Sequence, residues 1–246
     1  MPYDENFYRA YREYLKEPTV RRNHDHVFAL FSSLLLPELP RVVDFGCGVG
    51  EYAAHDSHHG AYVGVDRNKV IDSPHFIQAD YLSLTFPLPF APNAFVSLFS
   101  IECCHPLAVR YDFYERAFAA FPTIQCGLAG GFFYESRRGE ETVVESGKLV
   151  SYQTIEDPSR HISPNFTELR AHFYTPSQMF GHDVVEVWKF FIREERNLGG
   201  GAKPPCCFFT LAFRLRFGER SFRFLVAHNW HSGRRRTCSS RTGASG

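Results

Sequence analysis

Apolar residues recur at intervals of three and four along the first part of the chain, which is the spacing of an amphipathic helix. Between positions 4 and 16 the apolar residues are Phe7, Tyr8, Tyr11, Tyr14 and Leu15, and Pro18 follows them. A second set, between about 20 and 35, repeats with the same period and ends before Pro37. Because proline interrupts a helix, the pattern predicts two helices that precede the first strand.

The pattern then changes to short, nearly continuous apolar runs, which are typical of strands buried on both faces of a parallel sheet. The runs predict strands at 41–47, 61–66, 75–79, 94–101 and 124–133. A helix is expected at about 107–121, and a short helical connection between the first two strands. Strands that alternate with helices predict an α/β fold, doubly wound, with helices on both faces of a mainly parallel sheet.

The pattern at the end of the sheet differs from the pattern before it. Thr175 followed by Pro176 predicts the start of a short helix over 174–180. Two apolar runs, 184–193 and 207–217, flank a glycine-rich loop and are expected to pair antiparallel. With these runs the sequence predicts a seven-stranded sheet whose last strand is antiparallel.

Polar and basic segments indicate how the chain is organised. The segment 139–170 is polar and contains two prolines, so we expect an insertion there. The stretch 232–246 holds four arginines and no acidic residue, which favours disorder over a tail that binds polyanions. The expected division is an N-terminal helical lid at 1–40, one domain at 41–231 that contains the insertion, and a disordered basic tail.

Composition narrows the class of partner. The 246 residues carry 27 Lys and Arg against 27 Asp and Glu, so the formal net charge is zero. Such a chain has no overall field to attract nucleic acid or an anionic membrane, and we expect neither as a partner. No apolar run approaches the roughly 20 residues of a spanning helix, and no leader pattern is present. We therefore expect a cytoplasmic protein.

The seven cysteines include the adjacent pairs Cys103–Cys104 and Cys206–Cys207, which do not bridge readily within a strand. We expect reduced thiols. With His105, the first pair forms a compact group of soft ligands, but no C-x-x-C or H-x-x-x-H spacing accompanies it. We therefore expect no metal and interpret these cysteines as small buried hydrophobes.

Candidate chemistry concentrates in the run Asp44–Gly50 (DFGCGVG) at the end of the first predicted strand. Because glycine has no Cβ, a ligand can approach this backbone closely, and a helix that begins beyond Gly50 would present N–H groups to a polar ligand. Asp66 ends the next predicted strand, where a carboxylate can accept hydrogen bonds from ribose hydroxyls. Asp80 follows the third strand, within reach of an adenine amino group.

The spacing of the glycines distinguishes two nucleotide-binding families. The dinucleotide fingerprint G-x-G-x-x-G, counted from the first glycine, would place its third glycine where Glu51 stands. An acidic residue followed by G-x-G-x-G instead resembles motif I of the class I S-adenosylmethionine-dependent methyltransferases, which have a Rossmann-like fold. Gly64–Asp66, Gln78–Tyr81 and Phe95–Ser100 resemble the family's second motif, third motif and fourth strand. The resemblance covers roughly 41–135, and a nicotinamide enzyme is the alternative.

The resemblance implies S-adenosyl-L-methionine as co-substrate and a set of residues that contact it. In the family, the acid before the glycines anchors the loop and the amino-acid part of the donor, the next acid holds the ribose, and the third acid with its neighbour flanks the adenine. The implied donor-binding set is Asp44, Gly46, Cys47, Gly48, Gly50, Asp66, Arg67, Asp80, Tyr81 and Ser100. For each carboxylate the alternative is a side chain that caps the next turn.

This chain departs from the family pattern at one point. Many members begin the fourth strand with an acidic residue, whereas Asn93 and Ala94 stand here. We interpret that position as structural and give the departure little weight.

The methyl acceptor should meet the donor beyond the fourth strand, where the sequence reads SIECCHP from Ser100. Neither the Asn/Asp-Pro-Pro-Tyr/Phe run of many amide N-methyltransferases nor the Lys-Asp-Lys-Glu set of ribose O-methylation is found there. His105 is the candidate general base, and Glu102 is the candidate to orient it or to bind a cationic acceptor. A helix cap or surface role is the alternative for His105, and Arg22 is a candidate partner of the donor's carboxylate.

The sequence thus predicts a methyltransferase that acts on O, N or S of a small molecule, in a pocket covered by the N-terminal helices and the insertion. Two alternatives stay open. One is a macromolecule methyltransferase guided to protein or RNA by the basic tail, although the neutral charge disfavours RNA. The other is a protein that binds S-adenosylmethionine and catalyses nothing.

Overall fold

A computed structural model describes residues 5–55, 60–69, 72–105, 107–134, 166–179 and 182–193, and the short stretches 216–217, 220–221 and 225–227. This part of the chain opens with two helices, α1 (Glu5–Leu15) and α2 (Pro18–Leu34). Pro18 stands in the first turn of α2, where the N–H that proline lacks has no partner within the helix. The two helices predicted before the first strand are confirmed.

Five strands form the parallel part of the sheet. They are β1 (Arg41–Phe45), β2 (Ala61–Asp66), β3 (Phe76–Gln78), β4 (Ala94–Leu98) and β5 (Cys126–Tyr134), in the spatial order β3-β2-β1-β4-β5. All five predicted strands are confirmed, although β4 ends at Leu98 and not at Ile101. The strand order reverses between β1 and β4, and such a reversal leaves a crevice outside the carboxyl ends of the two strands.

Antiparallel strands complete the main sheet. The strand β7 (His182–Arg193) pairs with β5, β6 (Phe166–Met179) pairs with β7, and β10 (Leu225–Ala227) pairs with β6. Within the described residues the main sheet therefore has eight strands, in the order β10-β6-β7-β5-β4-β1-β2-β3. A mainly parallel sheet with an antiparallel end is confirmed, but the predicted number of seven strands is not.

The helix predicted over 174–180 is wrong, because β6 extends through it to Met179. Strand β7 presents a long row of backbone N–H and C=O groups, and pairing with β6 satisfies them. This long-range pairing outweighs the local Thr-Pro signal. Pro176, which cannot donate a ladder hydrogen bond, falls in a register shift between Thr175 and Gln178.

The partner predicted for the 184–193 strand is also wrong, since that strand lies within β7, which pairs with β5 along one edge and with β6 along the other. Of the run 207–217, only β8 (Arg216–Phe217) lies within the described residues, and it pairs with β9 (Arg220–Ser221) in a separate two-stranded sheet. Most of the predicted insertion, and the whole basic tail, lie outside the described residues, while positions 166–170 of the insertion belong to β6.

The connections between strands differ on the two sides of the reversal. The predicted helix at 107–121 is confirmed as α4 (Leu107–Ala120), preceded by the short α3 (Ile101–Cys104). After the glycine run, the described connection is a single 3-10 turn, Tyr52–Ala54. A full α-helix therefore does not begin directly beyond Gly50.

Two apolar layers hold the helices against the sheet. The layer under α1 and α2 includes Tyr14, Phe28, Phe31, Val42, Val96 and Trp188. The layer under α4 includes Phe45, Phe95, Phe113, Tyr114, Phe118 and Phe191. Successive strand residues face opposite sides, so β7 supplies Trp188 to one layer and Phe191 to the other. Helices on both faces of the sheet are confirmed.

Within the described ranges, no helix is both long and apolar enough to cross a membrane.

Candidate functional site

A loop of three left-handed glycines follows β1 at the reversal of strand order. Gly46, Gly48 and Gly50 have φ values of 71°, 49° and 73°, a region that L side chains adopt at a cost. The N–H of Gly46 donates to the carbonyl of Val65 at 2.7 Å, which fastens the loop to β2. The backbone geometry explains why the sequence has glycine at these positions.

The space in front of the loop differs between two of its glycines. A Cβ added at Gly46 would overlap the Oγ of Ser100, so this glycine lets the end of β4 approach the loop. A Cβ added at Gly48 would meet no described atom closer than 3.9 Å, at Cε1 of Tyr8. The backbone at Gly48 is thus open to a ligand, and Tyr8 of α1 lies beside the opening.

Asp66, at the carboxyl end of β2, closes the loop. Its Oδ2 accepts a hydrogen bond from the N–H of Gly48 at 3.0 Å, and its Oδ1 accepts one from the N–H of Asn68 at 2.9 Å. The side chain is buried, and this burial raises its pKa. Asn68 in turn donates to the hydroxyl of Tyr8 at 3.0 Å, which joins α1 to this side of the site.

Asp44 lies beneath the loop, in the layer that faces α1 and α2. Its Oδ2 accepts a hydrogen bond from the hydroxyl of Tyr62 at 2.8 Å, and its buried Oδ1 has no partner among the described residues. Burial raises the pKa of Asp44 to about 8, so the carboxyl group is mostly protonated at neutral pH. The described hydrogen bond of its side chain therefore joins β1 to β2.

Cys47, Cys103 and Cys126 are buried and form no disulfide, as the sequence predicted for them. Cys47 packs onto β2, where a Cβ at Gly64 would lie only 2.7 Å from its Sγ. Burial raises the pKa of the Cys47 thiol. Its side chain therefore packs in the protein while its backbone forms part of the loop.

Arg67 and Asp80 follow the carboxyl ends of β2 and β3. The two side chains are about half exposed and form an ion pair of 2.7 Å, which lowers the pKa of Asp80. The second oxygen of Asp80 accepts a hydrogen bond from the N–H of Leu82 at 3.0 Å and caps the following turn. The capping role that the sequence left open for Asp80 is therefore present.

Tyr81, Ser100 and His105 form a chain of hydrogen bonds beside Gly46. The Oγ of Ser100 donates to the hydroxyl of Tyr81 at 2.8 Å, and that hydroxyl lies 3.2 Å from Nε2 of His105. The Tyr81 hydroxyl hydrogen can then be donated to Nε2. Burial, with Arg67 and other positive charge nearby, lowers the pKa of His105 to about 4, so the imidazole is uncharged at neutral pH.

Glu102 is fully buried on the α4 side of the sheet. Its carboxylate accepts hydrogen bonds from Lys189 at 2.7 Å and from the Tyr114 hydroxyl at 2.6 Å, with Arg110 at 3.7 Å. Lys189 and Arg110 outweigh the effect of burial and lower the pKa of Glu102 to about 2. The structure therefore places Glu102 against two buried cations, and not beside the imidazole of His105 as the sequence suggested.

Phe99, which no sequence pattern singled out, joins the end of β4 to β5. Phe99, between β4 and Ser100, has a φ of 58°, which is strained for a bulky side chain. Its N–H donates to the carbonyl of Gly130 at 2.7 Å, and its ring packs in the buried layer. No local pattern in the sequence marks a phenylalanine for this conformation.

A cleft of about 450 Å³ lies beside the loop, between α1, α2 and residues 49–55. Its charged lining comprises Arg12, Lys16, Arg21, Asp25 and Glu51 with two histidines. Arg22, which the sequence offered for the donor's carboxylate, is exposed and does not line this cleft. Among the residues that the structure describes, no group of three or more His, Cys, Asp and Glu side chains is placed to hold a metal ion.

No protein-family model matches the chain, and no curated protein matches its sequence. Solved structures do match it. The magnesium protoporphyrin IX methyltransferase of Synechocystis PCC 6803, with bound S-adenosylhomocysteine, is 14% identical with a TM-score of 0.51, covering 77% of this chain and 95% of that chain. The N-methyltransferase NodS of Bradyrhizobium japonicum WM9 is 13% identical with a TM-score of 0.49, covering 78% and 100%.

The likeness to the Synechocystis protein shows that this chain shares the Rossmann-like α/β fold of that protein. The fold expected from the glycine motif is thereby confirmed.

Proposed function

We propose that the chain is a methyltransferase that uses S-adenosyl-L-methionine and acts on a small molecule. One observation carries the proposal: three left-handed glycines, closed by Asp66, stand at the reversal of strand order with open space before Gly48. Ligands of open α/β sheets bind in this crevice. The Synechocystis methyltransferase of the same fold holds S-adenosylhomocysteine.

The residues present fit the parts of this donor. Each oxygen of Asp66 uses one lone pair for a backbone N–H, which leaves a further lone pair for a ribose hydroxyl. Tyr81 and Asp80, with Arg67, stand on the side where the adenine would lie. The backbone of the loop, from Gly46 through Cys47 and Gly48 to Gly50, faces the rest of the donor.

The N-terminal helices are proposed as the lid of this site, with residues 1–40 over a domain that spans 41–231. The contacts of Tyr8 support this role. Its hydroxyl accepts a hydrogen bond from Asn68 at 3.0 Å, and its ring lies beside the opening at Gly48. A helix in this position excludes water from the crevice, which favours a displacement at a charged methyl donor.

The donor supplies an already activated methyl group: the acceptor's lone pair forms a bond to the methyl carbon, and the electron pair of the broken carbon–sulfur bond stays on sulfur. The protein must mainly align the acceptor. Ser100 and His105 stand where the acceptor would arrive. With its pKa near 4, His105 is a weak base at neutral pH, so we assign it to hydrogen bonding with Tyr81 and the acceptor more than to proton removal.

A second candidate is a protein that binds the donor without catalysis. The burial of Glu102 against Lys189 and Arg110, together with the low pKa of His105, favours it, because neither side chain then acts as a base near neutrality. We retain the methyltransferase proposal because methyl transfer does not require a base when the acceptor is an amine that loses its proton to water.

The experiment that tests the proposal is incubation of the purified chain with isotopically labelled S-adenosylmethionine and a cell extract fractionated by size. Mass spectrometry should find the label in small molecules. Label found only in protein or RNA would indicate a macromolecular acceptor, and a variant without residues 232–246 would then show whether the basic tail guides it. Donor binding without any labelled product would favour the silent protein.

A further inference from the structure

A buried charged network lies under the N-terminal helices, beside the site and not within the donor-binding set. It joins His24 of α2, Glu51 directly after the glycine loop, and Glu186 of β7. Their side chains are 3%, 14% and 0% exposed. Three ionisable groups that are distant in sequence thus meet beneath the N-terminal helices.

Both ring nitrogens of His24 face carboxylates. Nδ1 forms a short hydrogen bond with Oε1 of Glu51, and Nε2 lies 3.2 Å from Oε1 of Glu186. Both nitrogens can donate at once only when the ring is an imidazolium, the form that two neighbouring carboxylates stabilise. The two carboxylates also raise the pKa of His24, to about 10, against the effect of burial.

The two carboxylates also accept hydrogen bonds from tyrosine hydroxyls, and Oε2 of Glu186 lies 3.4 Å from Nε1 of Trp188. The Tyr11 hydroxyl donates to Oε2 of Glu51 at 3.0 Å, and the Tyr14 hydroxyl donates to Oε1 of Glu186 at 2.5 Å. Both tyrosines belong to α1. A buried network in which every member has partners holds its groups in one arrangement, while a network that loses a member leaves a charge unpaired in the core.

The His24 ring also contacts the residue that follows β4. It stacks on Phe99 with ring centroids 5.6 Å apart and an interplanar angle of 23°. Phe99 directly precedes Ser100, whose Oγ donates to Tyr81. One imidazolium therefore contacts the glycine loop through Glu51 and the end of β4 through Phe99.

We propose that His24 is a positioning residue, which acts through Glu51 and Phe99 to hold the glycine loop and the end of β4 in the relative arrangement that binds the donor. This inference rests on the proposed function. The sequence signal was the place of His24 on the apolar side of α2, four residues after Val20 and three before Val27, both of which are buried.

The test compares two histidine variants of the full-length chain. His24→Gln keeps an amide donor but cannot bridge two carboxylates with a positive charge. His55→Gln is the matched control, because His55 also faces α2 from the segment after the glycines, where it hydrogen-bonds Asp25 at 2.7 Å outside the network. Calorimetric titration with S-adenosylhomocysteine gives the dissociation constant of each protein.

We expect the dissociation constant to rise about tenfold or more in His24→Gln and by less than about twofold in His55→Gln. Backbone amide signals of Gly46, Gly48 and Gly50, in proton–nitrogen correlation spectra of the ligand-free proteins, should shift in His24→Gln alone. A general loss of stability would not move these signals selectively. A folded His24→Gln protein with wild-type affinity and unshifted glycine signals would overturn the proposal.

If His24→Gln does not fold, the affinity of Glu51→Gln for S-adenosylhomocysteine tests the proposal. Glu51 joins the network to the glycine loop, and its side chain is less buried than that of His24. A loss of about tenfold in affinity supports positioning, and wild-type affinity overturns it. Failure of the wild-type chain to bind S-adenosylhomocysteine would overturn the proposed function instead. The glycine signals would still test whether His24 holds the loop.

Discussion

The N–H of Gly48 donates a hydrogen bond of 3.0 Å to Oδ2 of Asp66, so the middle of the glycine loop is fixed to the carboxyl end of β2. The other oxygen of Asp66 is held by the N–H of Asn68 at 2.9 Å. Loop and carboxylate are therefore oriented together before a ligand arrives. Such preorganisation reduces the entropic cost of binding.

Replacing Asp66 should weaken donor binding. Asp66→Ala removes the acceptors proposed for the ribose and the closure of the loop, and we expect a loss of about 1 to 3 kcal/mol in the binding free energy of S-adenosylhomocysteine. Calorimetric titration measures this binding free energy. The control is Asp72→Ala, since Asp72 lies in the segment that follows β2 but its side chain is 95% exposed. Equal affinity in both variants would place the ribose elsewhere.

A branched side chain at Gly48 should abolish donor binding. Gly48→Val fills the open space before the loop, where the nearest described atom to a Cβ is 3.9 Å away. The positive φ of 49° adds a folding cost of about 1 to 3 kcal/mol. Gly48→Ala requires the same positive φ but has a smaller, unbranched side chain, so donor binding by the alanine variant alone would assign the loss to the branched side chain. Donor binding by a folded Gly48→Val protein at wild-type strength would contradict the assignment.

His105→Gln should leave most of the catalytic rate. Since the pKa of His105 is near 4, the ring already exists in its uncharged form at neutral pH, and we expect the maximal rate to fall by less than about fivefold. The wild-type rate should show no inflection caused by His105 between pH 6 and 7, near the ordinary histidine pKa of about 6.5. Once an acceptor is known, steady-state kinetics check this. A loss of about 100-fold or more, with an acid limb near pH 6.5, would instead identify His105 as a general base.

Asp44→Asn should stabilise the protein in alkaline solution. The folded-state pKa of Asp44, about 8, lies above the unfolded value of about 3.9, so the folded state binds a proton more tightly. Stability due to this group is full below pH 4 and is lost as pH rises through 8. An amide has no proton to lose, and we expect a gain on the order of 1 kcal/mol or more at pH 9, measured by denaturant unfolding. The difference between the two proteins should shrink toward pH 5. A variant less stable at both pH values would show that Asp44 is ionised in the folded protein.

Local sequence was sufficient for the features that depend on short-range geometry. The strands β1 to β5 coincide with buried apolar runs, and the three glycines adopt the left-handed backbone that a close approach requires. Where neighbours distant in sequence decide the outcome, local signals failed. Thr175 and Pro176 belong to β6 because β7 offers a long pairing edge.

The sequence pattern also did not predict which ionisable side chains are buried together. Glu102 follows Ser100 closely enough to suggest a role beside the acceptor. In the structure it is buried against Lys189 and Arg110, on the α4 side of the sheet. His24 and Glu51 are 27 positions apart and meet only because α2 packs beside the glycine loop. Such pairs depend on tertiary packing, which a periodic pattern does not specify.

Calorimetric titration of the purified chain with S-adenosylhomocysteine, with NAD titrated in parallel, measures whether the glycine loop binds an adenosyl methyl donor. We expect saturable binding of S-adenosylhomocysteine that Asp66→Ala weakens, and no binding of NAD. Binding of NAD without binding of S-adenosylhomocysteine would contradict this expectation.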